Sequence, residues 1–208
     1  MPETSPSLHN LLCALAGADK LLCDLPEHQI PNEKCDLTLR AFSFLCHAAI
    51  EEYLEDVSRY VLRASSQYLK DESKLCQPLV AACLYYRVPI LEIQQIGVTF
   101  ADRRDFFIHA ADEAWRQHSQ VLNENNGIKT RDQDALLLPI GCRIFDFDRI
   151  LSQNLNSLGE QRGKIAHTFR MQMKVPKAGL QSNINILMKL IISLDQFLCE
   201  QLNTTHPL

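Results

Sequence analysis

The stretch FLCHAAIEEYLEDVSRYVL, residues 44–62, decides the fold of this chain. Charged side chains occupy one face of it, whereas apolar side chains recur every three or four residues in it and in its flanks, at Phe42, Cys46, Ile50, Tyr53, Leu54, Val57, Val61 and Ala64. This period is that of an amphipathic α-helix. It predicts a helix of about seven turns or more that is capped by Asp36 or Thr38 and ends near Asp71.

The rest of the chain has the same helical character. Helical patterns cover residues 7–25, 75–87, a segment starting at Asp102, residues 145–158 and residues 177–202. No alternating strand pattern is present, so the sequence predicts an all-α bundle in one domain, residues 1–208. Residues 7–35 form an N-terminal helix and linker in this scheme, and residues 36–203 form the core bundle. A helix break is expected at Gly159, and the leucine-rich stripe of the last helix favours burial in the core or at a subunit boundary.

Composition limits the class of protein. The chain has 208 residues, of which 46% are hydrophobic and 22% charged, values that exclude disorder for most of it. No apolar run reaches the roughly 20 residues of a membrane span, and the first residues lack a basic leader. Eight cysteines without a CxxC pair suggest buried thiols, among them Cys46, Cys83 and Cys199, in a reducing compartment. We therefore expect a cytoplasmic protein without a membrane partner.

Positive charge is concentrated in one part of an otherwise acidic chain. The formal net charge is −4, yet residues 140–177 contain only three acidic side chains against seven basic ones, Arg143, Arg149, Arg162, Lys164, Arg170, Lys174 and Lys177. A local basic patch of this kind suits a confined anionic ligand better than a long duplex. The alternative is an ordinary solvated surface.

The chain contains none of the common catalytic motifs GxxxxGK[ST], HExxH, GxSxG and GxGxxG. What remains is EQRGKIAHT, residues 160–168, in which Arg162 and His167 are five residues apart. Arginine offers a planar, permanently charged fork for phosphate oxygens, and histidine titrates near neutral pH. These are the two groups needed to cleave RNA without a metal ion. Five residues is a poor spacing for a shared helix face, but the two side chains can converge if Arg162 starts a new helix after the glycine break.

Other residues allow competing interpretations. Arg104 and His109 repeat the same spacing inside an amphipathic helix, where we expect a structural role. Arg162 could instead form a surface ion pair with Glu160 or Asp148, and His167 could cap a helix or be buried. His47 precedes Glu51 by one turn, so these two side chains can pair, and a metal site built from His47, Glu51 and His109 is a weaker alternative.

Two stretches resemble the HEPN domain family. LNSLGEQRGKIAHT, residues 155–168, is similar to the family's leucine-spaced helix followed by R-x4-H, and residues 44–62 are similar to its first core helix. The similarity follows the helix order over roughly residues 38–197, and it is strongest to stand-alone HEPN proteins of toxin and defence systems. The family often carries a polar residue after the arginine, where this chain has Gly163.

The resemblance implies an up-and-down helical bundle that forms a homodimer and brings two R-x4-H motifs into one cleft. It implies a metal-independent endoribonuclease without a cofactor, leaving 2′,3′-cyclic phosphate or related ends, with a possible antitoxin or regulatory protein as partner. Arg162 and His167 would be catalytic, and Lys164, Glu51 and Thr168 would contact the RNA substrate. The alternative is a non-catalytic helical module that binds RNA, a nucleotide or a protein.

Overall fold

The computed structural model describes residues 3–88, 100–167 and 173–207, and for residues 100–103 and 167 it describes the backbone alone. Helices fill most of these ranges, which confirms the predicted all-α class. In chain order the helices are α1 (Pro6–Asp19), α2 (Glu33–Glu72), α3 (Gln77–Tyr85), α4 (Phe100–Glu124), α5 (Thr130–Leu137), α6 (Ile144–Phe147), α7 (Arg149–His167) and α8 (Lys177–Asn203). Two short strands, β1 (Lys74–Cys76) and β2 (Thr205–Pro207), and 3₁₀ turns at Lys20–Leu22 and Leu138–Ile140 complete the described elements.

Helix α2 is the centre of the fold. Its 40 residues span about 60 Å, and α1, α4, α5, α7 and α8 all contact it. The apolar stripe predicted for it is buried, with the exception of the half-buried Ala64. In α8, Leu180, Leu187, Ile191, Leu194 and Leu198 are buried within this one chain, so the leucine-rich stripe belongs to the core.

The start of α2 differs from the prediction. Asn32 caps the helix, because its side-chain oxygen accepts the backbone N–H of Cys35 at 2.9 Å. Asp36, a predicted cap, lies one turn inside the helix and is buried. There its carboxylate accepts the backbone N–H of Met173 at 2.6 Å and forms an ion pair with Arg40. Asp36 therefore links α2 to the segment before α8.

A buried carboxylate attaches α1 to the core. Asp195 on α8 is fully buried and accepts hydrogen bonds from the backbone N–H of Ser5 at 2.7 Å, from the Ser5 hydroxyl and from the Tyr53 hydroxyl at 3.1 Å. The Ser5 hydroxyl oxygen also accepts the N–H of Leu8 at 3.2 Å and so caps α1. One carboxylate thus joins the first helix, α2 and α8.

Three short elements were not predicted. Strand β1 pairs antiparallel with β2, with Leu75 opposite His206, so the helix predicted over residues 75–87 begins only at Gln77. Helix α5 occupies part of residues 123–133, which the sequence pattern left unassigned. Residues 90–100, for which the sequence pattern leaves a short helix and an irregular segment both open, lie outside the described residues, apart from the backbone of Phe100 in α4.

The predicted glycine break is wrong. Residues 145–158 do not form one helix that stops at Gly159; the chain forms α6, turns at Asp148 and continues as α7 through both Gly159 and Gly163. The Asp148 carboxylate caps α7 by accepting the N–H of Leu151 at 2.9 Å. Arg162 consequently lies in the last two turns of a continuous helix, not at the start of a new one.

Cys46, Cys83 and Cys199 are buried and free, as predicted. Burial raises the pKa of the Cys46 thiol to about 12 and that of Cys83 to about 11, so neither is a nucleophile at neutral pH. Across residues 3–88, 100–167 and 173–207, no helix combines the length and the apolar character that crossing a bilayer requires.

Candidate active site

A cleft of about 590 Å³ opens between the last turns of α7, the loop before α5 and the middle of α2. Helix α7 provides Arg162, Gly163 and Lys164, and α2 provides His47. The opposite wall is the loop formed by residues 125–129, called here the α4–α5 loop, of which residues 126–129 line the cleft. Two of the predicted site residues, Arg162 and Lys164, therefore share a concave surface.

Arg162 is held by an aromatic ring and not by a carboxylate. Its guanidinium carbon lies 5.6 Å from the ring centre of Phe44 on α2. Neither Glu160 nor Asp148 forms an ion pair with it; Glu160 accepts a hydrogen bond from Asn156 at 3.0 Å, and Asp148 caps α7. A guanidinium that stacks on an aromatic face keeps the N–H donors at its edge available for an anion.

The predicted pair of His47 and Glu51 is present. His47 Nδ1 lies 3.4 Å from Glu51 Oε2, and 3% of the His47 side chain is exposed. Burial and the positive charge of Arg162 lower the pKa of His47 to about 4, and burial and the nearby Glu55 raise the pKa of Glu51. The imidazole is thus neutral at pH 7. Glu51 contacts His47 but does not form part of the cleft wall.

Arg162 and His167 occupy different faces of α7. Because α7 is continuous between them, five residues correspond to about 140° of rotation around the helix axis and about 7.5 Å along it. The expected convergence of the two side chains depended on a helix start at Arg162, which the structure does not have. His167 is the last residue of α7, and its side chain, like the whole of Thr168, lies outside the described residues.

In the second pair with this spacing, Arg104 has the structural role expected for it. The Arg104 guanidinium donates a hydrogen bond to the backbone carbonyl of Lys70 at 2.6 Å and so joins α4 to the end of α2. His109 is exposed one turn further along α4. Neither residue lines the cleft beside Arg162.

The alternative of a metal site gains no support from the geometry. Within residues 3–88, 104–166 and 173–207, no three His, Cys, Asp or Glu side chains come together in a group able to hold a metal ion. In particular, His109 does not join His47 and Glu51.

The basic patch predicted from the sequence is only partly available to a ligand. Arg143 forms ion pairs with Asp134 and Asp146, and Lys177 forms one with Glu27. In the cleft, by contrast, Arg162, Lys164 and Lys129 have no ion-pair partner in the described part of the chain. Lys129 lies outside the predicted patch. The cations that are available to a ligand in the cleft are therefore Arg162 and Lys164 from the patch, together with Lys129 from another part of the chain.

The α4–α5 loop was not predicted to be part of the site. The polar run at residues 123–127 indicated a loop, which the structure shows only from Asn125 onwards because α4 ends at Glu124. No local pattern places Asn126 and Lys129 opposite Arg162. Asp132, at the start of α5, also lines the cleft, and its carboxylate accepts the backbone N–H of Lys129 at 3.1 Å.

The model of the family RiboL-PSP-HEPN matches residues 19–200 of the chain. The chain belongs to this HEPN family. The match includes α2, the α4–α5 loop, α7 and most of α8, and hence every described element of the cleft, whereas α1 lies before it apart from its last residue. No curated protein and no solved structure matches this HEPN chain.

Proposed function

We propose that this HEPN protein is a metal-independent endoribonuclease whose active site is a composite of Arg162 and His167 at a homodimer interface. The observation that carries the proposal is the position of Arg162 in a HEPN bundle. Arg162 has no carboxylate partner in the described chain and lines a cleft beside the buried, neutral His47. The proposed setting is the cytoplasm, where the enzyme acts as a toxin or antiviral effector under the control of an antitoxin or regulatory protein.

The chemistry is an attack of the ribose 2′-hydroxyl on the adjacent phosphorus. His167 takes the hydroxyl proton, the new O–P bond forms, the bond from phosphorus to the 5′-oxygen breaks, and that oxygen leaves with a proton supplied by the site or by water. Arg162 binds the non-bridging oxygens and stabilises the negative charge that builds up on the phosphorane. The products are a 2′,3′-cyclic phosphate and a free 5′-hydroxyl, and no metal ion takes part.

The geometry of α7 favours a composite site. Since Arg162 and His167 are about 140° apart on one helix, a single protomer does not present both on one face. A second copy related by a two-fold axis can bring its histidine to the first copy's arginine, and the reverse. In this arrangement Lys164 and Thr168 contact the RNA backbone, and Glu51 acts through His47 by fixing the orientation of its ring.

The test is cleavage of RNA by the purified protein in EDTA. We expect cleavage with a 2′,3′-cyclic phosphate end, and we expect Arg162→Ala and His167→Ala to abolish it. Arg104→Ala and His109→Ala are matched controls, because they alter a pair of the same spacing that lies outside the cleft, and both should cut like the parent. Cleavage by His167→Ala at the parent's rate would contradict the catalytic assignment.

A second candidate is a HEPN module that binds RNA, a nucleotide or a protein without cutting. Gly163 favours it, because the position after the arginine, where the family often has a polar side chain, is open space here. This candidate predicts binding that weakens steeply with salt and no cleavage products. It also predicts that cells expressing the parent and Arg162→Ala grow equally well, whereas the ribonuclease predicts growth inhibition by the parent alone.

A further inference from the structure

The α4–α5 loop is held in one shape by side chains from three helices. Asn125 donates its amide to Glu55 of α2 at 2.8 Å and to the carbonyl of Gly127 at 3.2 Å. On the other side, Gln133 of α5 donates to the carbonyl of Ile128 at 2.9 Å and is itself bound by Ser152 of α7 at 2.7 Å.

Close packing inside the loop fixes it further. Ile128 is fully buried, and a β-carbon at Gly127 would come within 2.4 Å of the Asp132 carboxylate. Only glycine therefore fits at residue 127 as long as the Asp132 carboxylate accepts the backbone N–H of Lys129. A surface loop with this many internal contacts is a rigid wall, and a rigid wall lowers the entropic cost of binding a ligand.

Two residues of this wall line the cleft and have polar side-chain groups without a hydrogen-bond or ion-pair partner in the described chain. They are the Asn126 amide and the Lys129 ammonium group. The stem of Lys129 lies across Gly159 of α7, where a β-carbon would come within 3.0 Å of Lys129 Cγ. The glycine thus allows Lys129 to approach the helix that carries Arg162.

The charges in the cleft are unequally satisfied. Its carboxylates have local donors, since Asp132 accepts the N–H of Lys129 and Glu160 accepts the amide of Asn156. Its three cations, Lys129, Arg162 and Lys164, have no carboxylate partner among the described residues. The three cations therefore favour the binding of an anion in the cleft, and the Asn126 amide adds a neighbouring hydrogen-bond donor and acceptor.

We propose that the α4–α5 loop binds one nucleotide of the RNA and selects its base, with Lys129 on a phosphate and the Asn126 amide on the base edge. The proposal rests on the proposed function, for which it supplies a specificity element within each protomer. The cleft of about 590 Å³ lies within the roughly 300–1,000 Å³ typical of small-ligand sites. An asparagine amide distinguishes bases because its donor and acceptor must face their counterparts.

The experiment measures binding without cleavage. Fluorescence anisotropy with short 2′-O-methyl oligonucleotides of a single base, A, C or U, removes the attacking hydroxyl from the assay. In the parent, the base preference is the ratio of the largest to the smallest dissociation constant among the three oligonucleotides. Asn126→Ala should reduce this ratio by about fivefold or more. Lys129→Met should weaken all three similarly and lower the salt slope by about 0.7. The matched controls are the exposed Asn123→Ala and Lys189→Met, which should bind like the parent.

The proposal is overturned if Asn126→Ala keeps the parent's base preference, or if Lys129→Met binds like Lys189→Met. If the parent still cuts RNA in EDTA, these results would not contradict the proposed ribonuclease function. Conversely, Asn126→Ala could lose the base preference while the parent cuts no RNA. That result would support base selection by the loop and contradict the proposed catalysis. A parent that binds none of the three oligonucleotides would overturn the proposal, whatever its cleavage activity.

Discussion

His118 of α4 is fully buried, and both of its ring nitrogens are engaged. The Ser58 hydroxyl lies 2.8 Å from Nε2 and donates its own proton to the carbonyl of Leu136 at 2.6 Å. Nε2 must therefore carry the proton that it shares with Ser58, and Nδ1 accepts the Tyr86 hydroxyl at 2.8 Å. Burial and the charge of Arg59 lower the pKa of His118 to about 4, so the ring is neutral in the folded protein.

This network predicts acid sensitivity of the fold. Because the folded pKa of about 4 lies below the unfolded value of about 6.5, the unfolded chain gains protons first as the pH falls. The stabilisation by neutral His118 is complete above pH 6.5 and is lost between about pH 6.5 and 4, up to about 3 kcal/mol. We expect His118→Gln to be less stable than the parent at pH 7 but to lose less stability on acidification, as measured by urea unfolding at several pH values.

The control for this measurement is His28→Gln, which alters an exposed histidine. It should follow the parent at every pH. If His118→Gln and the parent showed equal losses of stability between pH 6.5 and 4, the sensitivity would have to come from another group, such as the buried His47.

The two glycines of α7 differ in what surrounds them. A β-carbon at Gly163 meets nothing within 4 Å, whereas one at Gly159 comes within 3.0 Å of Lys129 and 3.5 Å of Ile128. Alanine is favoured over glycine inside a helix by about 1 kcal/mol. We expect Gly163→Ala to raise the melting temperature by about 2–4 °C and Gly159→Ala to lower it or leave it unchanged, as measured by thermal unfolding. A gain of similar size in both variants would show that Lys129 does not pack on Gly159.

The long helices were predictable because their apolar period continues over many turns. Helices α2 and α8 each repeat the pattern over most of their length, so local propensity and packing agree. The break at Gly159 was wrong because the cost of a glycine is small beside the contacts that α7 makes as a whole, which include the close approach of Lys129. The β1–β2 pair and α5 were missed because they are short and depend on partners distant in sequence.

The site was predictable to the extent that it is local. The spacing of His47 and Glu51 on one helix predicts their contact, and the motif singled out Arg162 and Lys164. Asn126 and Lys129 are placed at the cleft by a loop whose shape depends on three hydrogen bonds: Glu55 accepts one from Asn125, Gln133 donates one to Ile128, and Ser152 donates one to Gln133. No sequence pattern contains those contacts. The sequence therefore indicated one wall of the cleft and gave no signal for the other.

The arrangement of α7 leads to a prediction for the assembled molecule. A dimer should show twice the 23.7 kDa mass of one chain by light scattering at micromolar concentration. If each site takes Arg162 from one protomer and His167 from the other, mixing Arg162→Ala with His167→Ala through subunit exchange restores one intact site per mixed dimer. We expect about a quarter of the parent's cleavage activity, since half of the dimers are mixed and each has one of two sites.

Either variant alone serves as the control and should be inactive. A mixture that stays inactive although mixed dimers are detected would place both groups in the same protomer. A monomeric mass at micromolar concentration would also count against the composite site, but RNA binding by the cleft of one chain would remain possible.

The attachment of α1 has a consequence for hydrogen exchange. The amide of Ser5 donates to the buried carboxylate of Asp195, so its proton cannot exchange with deuterium until the first helix lifts from the bundle. As the N-cap of α1, Ser5 has no partner for this amide within the helix, so the bond to Asp195 should protect the amide as long as the helix stays docked. Nearly all of α1 lies before the matched family region. Deuterium uptake at Ser5 would therefore measure how often α1 detaches while the rest of the bundle stays folded.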